Sequence, residues 1–435
     1  MAGLAAGYSA RRLGIPFLIC EKSGLAGGNC RTFDHNGFRF DSGAHRLHDR
    51  DGEATRLLAS LLGDRLRLVG VPSRIYHRGQ FLAFPLKVRD VAEKLGWPFL
   101  LKAGGELLAA CCRRKSPADD FAARQRRNYG PTLAGLFLLN YTEKLWGMPA
   151  ERLSTEISGS RLQGLDLAMF IREAFLPAGS RSRHLEGFFY YPDQGIGAVS
   201  EALARGCGGA NVRTGAEIGR VFHGQRRIRA VEIKGGERIA CAALLNSIPL
   251  ERFLRLLEPP PPAEVRQAAA ALAFRQLALV ALFLNRESVT PAATIYFPDP
   301  GFPFTRVYEP KNRCPRMAPP GKTSLVAEIP YSPGDALESM TDERLVEMAR
   351  SRLAGCGLIE EREVQDVCVR RLDDAYPVLE KNVADRRRAI FSYLDGFRNL
   401  KTVGRCGTFR YLHLHDLLPG SARAIGELWT RGAVS

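Results

Sequence analysis

The sequence predicts a two-domain α/β protein, and three observations carry that reading. At 435 residues the chain exceeds what one ordinary hydrophobic core spans. Its N-terminal region runs from a helix pattern into a short apolar stretch that ends on an acid, Glu21. Alternating helix and strand patterns then return from Ala198 onward, after a helix-rich interval. A helix opening at a glycine and followed by a strand ending in Glu is the second half of a dinucleotide-binding βαβ unit. The expected architecture is therefore a Rossmann-type domain, its first strand truncated from the chain as given, with an inserted α+β domain.

The elements follow in order. Ala2, Ala6, Ala10 and Leu13 share one helical face, and Gly14 supplies the stop. Pro16 to Glu21 reads as a buried strand. If Gly3 is the third glycine of G-x-G-x-x-G, Met1 and Ala2 fill the two positions before it, and Glu21 stands 18 residues further on, near the spacing of a ribose-binding acid. On this reading the preceding strand and G-x-G lie ahead of a start assigned to an internal Met. A helix is expected from Glu53 to Leu62. Residues 86–185 are helix-rich, with Arg-heavy linkers at Arg113-Arg114-Lys115 and Arg124 to Arg127 and an apolar cluster from Leu133 to Leu139. Strands are expected at Val212 to Phe222, Arg229 to Ile233 and Ala240 to Ile248, before a proline boundary at Pro259 to Pro262. Longer strands at Leu277 to Leu284 and Thr323 to Ile329 precede a helix at Thr341 to Leu353, a strand at Asn399 to Val403 and a last helix near Ser421 to Thr430. The predicted division is a discontinuous cofactor domain (1–85, 186–258 and 385–435) and a substrate domain (86–185 and 259–384), the latter helical in part and sheet in part.

Composition narrows the function classes. The formal charge of +16 draws anionic small molecules or an anionic membrane surface, with Arg codon preference as the bland alternative. No basic stripe is interleaved with aromatics, so nucleic acid is not an expected partner. The longest apolar run, Ala268 to Leu284, is broken by Arg275 and Gln276, and Arg11 and Arg12 interrupt any leader-like pattern. The ten cysteines form no CxxC pair and have no His at zinc spacing, so reduced, cytoplasmic usage without a metal is expected. His413 and His415 alternate but lack further ligands. Arg113-Arg114-Lys115 reads as a solvated face, with peripheral membrane contact as its alternative.

Two segments carry chemistry. In Gly24-Leu25-Ala26-Gly27-Gly28-Asn29-Cys30-Arg31-Thr32, paired glycines allow close backbone approach and Arg31 offers a charge to phosphate. In Gly37-Phe38-Arg39-Phe40-Asp41-Ser42-Gly43-Ala44-His45, small residues before His45 would let a flat ring lie on the chain. Together these runs resemble the FAD-binding signature of the amine oxidase, protoporphyrinogen oxidase and UDP-galactopyranose mutase superfamily. The resemblance implies that Glu21 binds the adenosine ribose, that Gly27, Gly28 and Arg31 track the diphosphate, with Gly3 at the helix start, and that Gly43, Ala44 and His45 lie near the isoalloxazine. Three later segments are similar to the same family. Gly215 to Val221 resembles its second FAD-contacting hairpin, with Glu217 and Ile218 at the adenine. Tyr190-Tyr191-Pro192-Asp193-Gln194-Gly195-Ile196-Gly197 resembles the entry to the next helix of the cofactor domain. Val403-Gly404-Arg405-Cys406-Gly407-Thr408-Phe409-Arg410-Tyr411 resembles the closing flavin motif, which brings in Gly404, Arg405 and Gly407.

The resemblance implies an FAD-dependent oxidoreductase that takes a hydride from a small-molecule substrate to flavin N5, with His45, Arg405 and Arg410 as catalytic candidates. Three features point to a mutase-like isomerase acting on a nucleotide sugar: the Ser42 to His45 run, the Phe84-Pro85-Leu86 stretch after Gly79, and the closing motif, where Arg405 with Arg410 would clamp a diphosphate. Tyr141 to Gly147 and Ala375 to Val378 sit closer to the oxidase members, and His413 stands where the mutases place Asp. A truncated, inactive chain and a non-catalytic scaffold that escorts a lipid are the remaining alternatives. Tyr141 and Trp146 read as core of the helical part.

Overall fold

The computed structural model describes residues 1–112, 118–158 and 188–430, so Arg113-Arg114-Lys115 and residues 159–187 of the expected helical insertion lie outside the described residues. Along the chain come α1 (Ala2–Arg12), β1 (Ile19–Cys20), the hairpin β2 (Thr32–His35) and β3 (Phe38–Asp41), then α2 (Gly52–Leu62). Next are β4 (Leu66–Gly70), β5 (Ser73–His77) and β6 (Gln80–Phe84). The helical insertion follows as α3 (Val88–Leu95), α4 (Trp97–Cys112), α5 (Phe121–Leu133), a π-helical stretch (Ala134–Leu139) and α6 (Asn140–Trp146). The α/β pattern resumes with β7 (Phe188–Pro192), α7 (Gly197–Cys207), β8 (Val212–Arg213), β9 (Ile218–Gly224), β10 (Arg227–Ile233), β11 (Arg238–Ala240) and β12 (Leu244–Asn246). Then come α8 (Leu250–Arg255), β13 (Leu257–Glu258), α9 (Ala263–Ala270), β14 (Phe274–Leu284), β15 (Thr294–Tyr296), β16 (Arg306–Tyr308) and β17 (Thr323–Tyr331). The chain closes with α10 (Asp342–Gly355), β18 (Val364–Pro377), α11 (Val383–Leu394), β19 (Leu400–Thr402) and α12 (Leu414–Thr430).

The largest sheet has the order β18-β14-β17-β16-β15-β5-β6. Next to the edge strand β18 lies β14, paired antiparallel with both β17 and β18 and buried on both faces. Side chains alternate along it. Leu277, Leu279, Ala281 and Phe283 pack into one core with Phe40, Val326 and Phe409. Ala278, Val280, Leu282 and Leu284 pack into another against Leu345, Ala349 and Leu353 of α10. The hairpin β5–β6, expected in the first domain, instead extends this sheet through the parallel pairing of β5 with β15. Backbone pairing that no local pattern announces moves that boundary.

The small parallel sheet also differs from expectation. β1 pairs with β8, and β12 with β19, as two separate parallel pairs. The inner edges, β1 and β12, both border an apolar cavity of about 530 Å³. Gly3, Ala6, Gly7 and Ala10 of α1 line it, together with Val221 and Val231 of the mixed sheet β11-β10-β9-β13. Each inner strand has a ladder on one side only. The strands expected at Pro16 to Glu21 and Ala240 to Ile248 accordingly shrink to two and three residues.

α1 lies close to the sheet because Gly7 has no side chain: a Cβ there would stand 2.6 Å from the Ile19 side chain. The last helix begins at Leu414, earlier than the apolar periodicity suggested, and runs through Pro419.

One buried carboxylate joins these layers. Asp41 is fully buried at the end of β3. Its Oδ1 accepts from Thr32 Oγ1 at 2.7 Å and Ile196 N at 3.0 Å, and its Oδ2 accepts from Tyr191 Oη at 2.5 Å. Its carbonyl accepts from Tyr308 Oη at 2.6 Å, so β3, β7, the start of α7 and β16 meet at one residue. Burial pushes the carboxyl above its ordinary range, and the bonds from Tyr191, Thr32 and Ile196 oppose that rise.

Two predictions follow from this architecture. Asp41→Ala leaves three buried donors without an acceptor and is expected to lower the unfolding free energy by roughly 3 kcal/mol or more, read by urea denaturation. An extended Val/Ile-rich segment joined ahead of Met1 through a glycine turn is expected to enter the cavity between β1 and β12. It should raise the Tm by several degrees, because it satisfies two strand edges and fills apolar space; an unchanged Tm would show that the slot does not accept a strand.

Candidate functional site

A cavity of about 290 Å³ is lined both by Glu21 and by the glycine turn at Gly404, the two places the sequence joined by one extended ligand. Gly27 and Gly28 line it beside Met1 and Ala2, and Gly43, Ala44 and His45 form a further wall. Gly27 and Gly43 adopt φ of 135° and 125°, which L side chains rarely take, so these turns need glycine. α1 opens at the cavity. Its first helical bond runs from Ala5 N to the Met1 carbonyl, leaving the N–H groups of the first turn for an anion.

The lining is strongly cationic. Arg46, Arg50, Arg306 and Arg405 contribute the charge, against a single acid, Glu21, and four histidine rings, His45, His48, His413 and His415, share the wall. Arg306 lies at the start of β16. Its Nε donates to Glu328 Oε2 at 2.5 Å, and its Nη2 donates to Tyr376 Oη at 3.2 Å. Glu328 on β17 is fully buried, and its other oxygen accepts from Ala44 N at 2.6 Å. Burial works against the charge on Arg306, but Glu328 more than restores it, so the guanidinium stays ionised. The pair thus fixes both an arginine and the turn carrying Gly43 and Ala44.

Tyr376 reaches the cavity through a bulge. The register between β14 and β18 shifts between Arg275 and Leu277, opposite Asp374, whose φ is 51°. Arg252 Nη2 holds Asp374 at 3.0 Å. Behind Tyr376 and Tyr411, the buried Trp146 makes edge contacts to both rings. Trp146 is core, as expected, but core that backs the cavity wall. Tyr141 lies edge-on to Tyr296.

Arg405 is a positioning residue in this geometry. Its Nε and Nη2 donate to the Leu412 carbonyl at 3.0 and 2.8 Å, and its Nη1 donates to the Ala375 carbonyl at 3.3 Å. The guanidinium also lies over Tyr376 and Tyr411, pinning the closing turn to β18. His45 is half-buried between Ser42 and the arginines. Burial first, then Arg405, Arg306 and Arg313, push its imidazole down to about 3. The ring is therefore held in its neutral form, with Ser42 Oγ 3.3 Å from its Nε2.

Of the residues predicted from sequence, Glu21, Gly27, Gly28, Gly43, Ala44, His45, Gly404 and Arg405 line this cavity. The others do not. Gly3 faces the cavity between β1 and β12, as does Ile218. Glu217 turns outward and pairs with Lys234 Nζ at 2.8 Å. Arg31 folds over its own loop, donating to Ser23 Oγ at 2.7 Å and the Leu25 carbonyl at 3.2 Å, while its Nε stays buried and unpartnered. Gly407 is required by packing, since a Cβ there would collide with the Val403 carbonyl. Arg410 is exposed: Phe409, at φ 49°, turns into the core and sends the next side chain to solvent. Sequence reasoning missed Arg306 and Glu328. The available signal was an acid inside the otherwise apolar run of β17, which must have a partner when buried.

These features fit a long anionic cofactor with a flat ring: a helix N-terminus, glycine turns that a Cβ would obstruct, an orphaned Arg31 Nε and a cationic lining.

Comparisons with known proteins agree. The family model for flavin-containing amine oxidoreductases matches residues 1–381. Among solved structures, reduced UDP-galactopyranose mutase superposes with a TM-score of 0.84 at 19% identity, covering 98% of this chain and 93% of that one. An Exiguobacterium sp. 255-15 protein assigned as a protoporphyrinogen oxidase gives 0.76 at 19% identity, covering 98% and 97%. A putrescine oxidase variant gives 0.67 at 16% identity, covering 99% and 97%. No curated protein matches the sequence.

The state of His45 sets a pH dependence. Its folded pKa of about 3 lies below the ordinary 6.5, so the stability tied to the neutral ring is complete above 6.5 and is lost as pH falls toward 3. The loss amounts to about 1.4 kcal/mol per pH unit. His45→Gln is expected to flatten the acid limb of a Tm-versus-pH curve; an unchanged limb would place the charge sensitivity elsewhere.

Proposed function

Because this chain belongs to the flavin-containing amine oxidoreductase family, we propose that it binds FAD in the cavity between Glu21 and Gly404 and oxidises an anionic small molecule. When bound, the flavin supplies a two-electron acceptor. Gly27, Gly28 and the start of α1 hold its diphosphate, Glu21 its ribose, and the Gly43–Ala44 turn its ring. The observation that carries the substrate class is Arg306, held charged by Glu328 and flanked by Tyr376. A protonated amine would meet four arginines in this lining and one distant acid, whereas a carboxylate or phosphate would be attracted. Arg306 would bind and orient such a group, Tyr376 and Tyr411 would pack on the remainder, and Trp146 behind them would exclude water. No histidine base is needed if hydride leaves a carbon whose attached hydroxyl or amine loses its proton to solvent.

A second reading is supported by the arginine–tyrosine cluster together with the likeness to UDP-galactopyranose mutase: flavin-dependent isomerisation of a nucleotide sugar. His413, in the place of the Asp expected there, counts against it. The test is an anaerobic titration of the FAD-loaded protein with amine, hydroxy-acid, sugar-phosphate and nucleotide-sugar pools. Bleaching of flavin absorbance by an anionic compound, with recovery in air, supports oxidation. Turnover of a nucleotide sugar by pre-reduced protein without net oxidation supports isomerisation, and bleaching by amines alone overturns the anionic assignment. Arg306→Lys is expected to weaken binding of the productive anion at least tenfold, about 1.4 kcal/mol, while FAD content stays unchanged.

A further inference from the structure

We propose that α4 docks the protein on an anionic lipid surface. Within this helix Trp97, Leu101 and Leu108 are 65%, 71% and 63% exposed. At 100° per residue these three fall within about 40° of one another around the helix axis, so they form one stripe rather than scattered exposure. Gly105 and Ala109 extend the stripe as small exposed positions. The opposite side already has its partner: Ala103 and Leu107 are buried with Leu133 of α5. The stripe is therefore a second apolar face on a helix whose core-facing side is satisfied, and large apolar side chains gathered in this way mark a binding surface.

The charge indicates what covers it. Within the helix Lys102 is exposed at the border of the stripe, Lys87 is exposed just ahead of the neighbouring α3, and Arg89 on α3 pairs with Glu93 at 2.7 Å. The whole chain carries +16. Apolar side chains with a tryptophan, bordered by lysine and arginine, match the acyl and headgroup layers of an anionic bilayer. The helix lies on such a surface and does not cross it. Its 16 residues span about 24 Å, less than a hydrocarbon core of about 30 Å, and no described helix is long and apolar enough to span one.

Flotation of the FAD-loaded protein with vesicles tests this, using phosphatidylcholine alone and phosphatidylcholine mixed with phosphatidylglycerol. Binding is expected on the anionic vesicles, weaker in high salt and on neutral ones. The double variant Leu101→Glu/Leu108→Glu should bind at least tenfold more weakly, with unchanged Tm and FAD content, since both side chains already face solvent; Lys102→Glu should show a smaller loss. Retention of full binding by the double variant overturns the proposal, as does the absence of binding to anionic vesicles at low salt. A dimer seen by sedimentation that the double variant dissolves, without vesicle binding, also overturns it, because the stripe would then be covered by a second copy.

Discussion

Glu328 sits with no exposed surface in the middle of the large sheet, and both of its carboxylate oxygens are committed, one to the Arg306 guanidinium and one to the Ala44 amide. Burying a carboxylate and a guanidinium is tolerable only when they pair with good geometry, and losing either partner would leave an uncompensated charge, at a cost of about 3–5 kcal/mol. Here the pairing joins two parts of the molecule. Arg306 belongs to the sheet, while Ala44 belongs to the glycine turn of the cofactor region. A Cβ at Gly43 would stand 3.4 Å from Glu328 Oε1, so the turn lies directly against the carboxylate. The position of the Gly43–Ala44 turn and the charged state of Arg306 are thus set by one carboxylate.

Asp41 plays the corresponding part a few residues earlier. The two acids bracket the Ser42–Gly43–Ala44 turn: Asp41 ties its start to β7, α7 and β16, and Glu328 ties its end to β17. A turn rich in small residues would otherwise be free to move. Held at both ends by buried carboxylates, it becomes a rigid surface against which a flat ring can lie. The same rigidity holds His45 beside the arginines, in a setting that keeps its ring neutral.

The cationic lining separates this chain from what its family name alone would suggest. The family fold fixes where an extended cofactor lies; which substrate approaches it depends on the side chains that surround the remaining space. Four arginines converge there from β16, from the 45–50 segment and from the closing turn.

Much of this was legible in the sequence because it is local. The spacing of alanines in α1, the acid ending β1, the glycine pairs at Gly27-Gly28 and Gly43, and the turn at Gly404 each depend on backbone conformations that only a few residue types allow. The long buried strands β14 and β17 declared themselves by their apolar runs, that of β17 interrupted by Glu328. The tertiary structure decided what depends on partners remote in the chain. The pairing of Arg306 with Glu328 is written in no short segment, and neither is the addition of β5 and β6 to the large sheet. Arg405 offered itself as an anion clamp from its glycine setting, yet the carbonyls of Leu412 and Ala375 claim its donors. Arg410 looked equivalent five residues on, but the turn that buries Phe409 puts it in solvent. Sequence states which backbone shapes and burials each segment permits; only the assembled fold determines which charges meet, because that depends on distances between segments that no local pattern encodes.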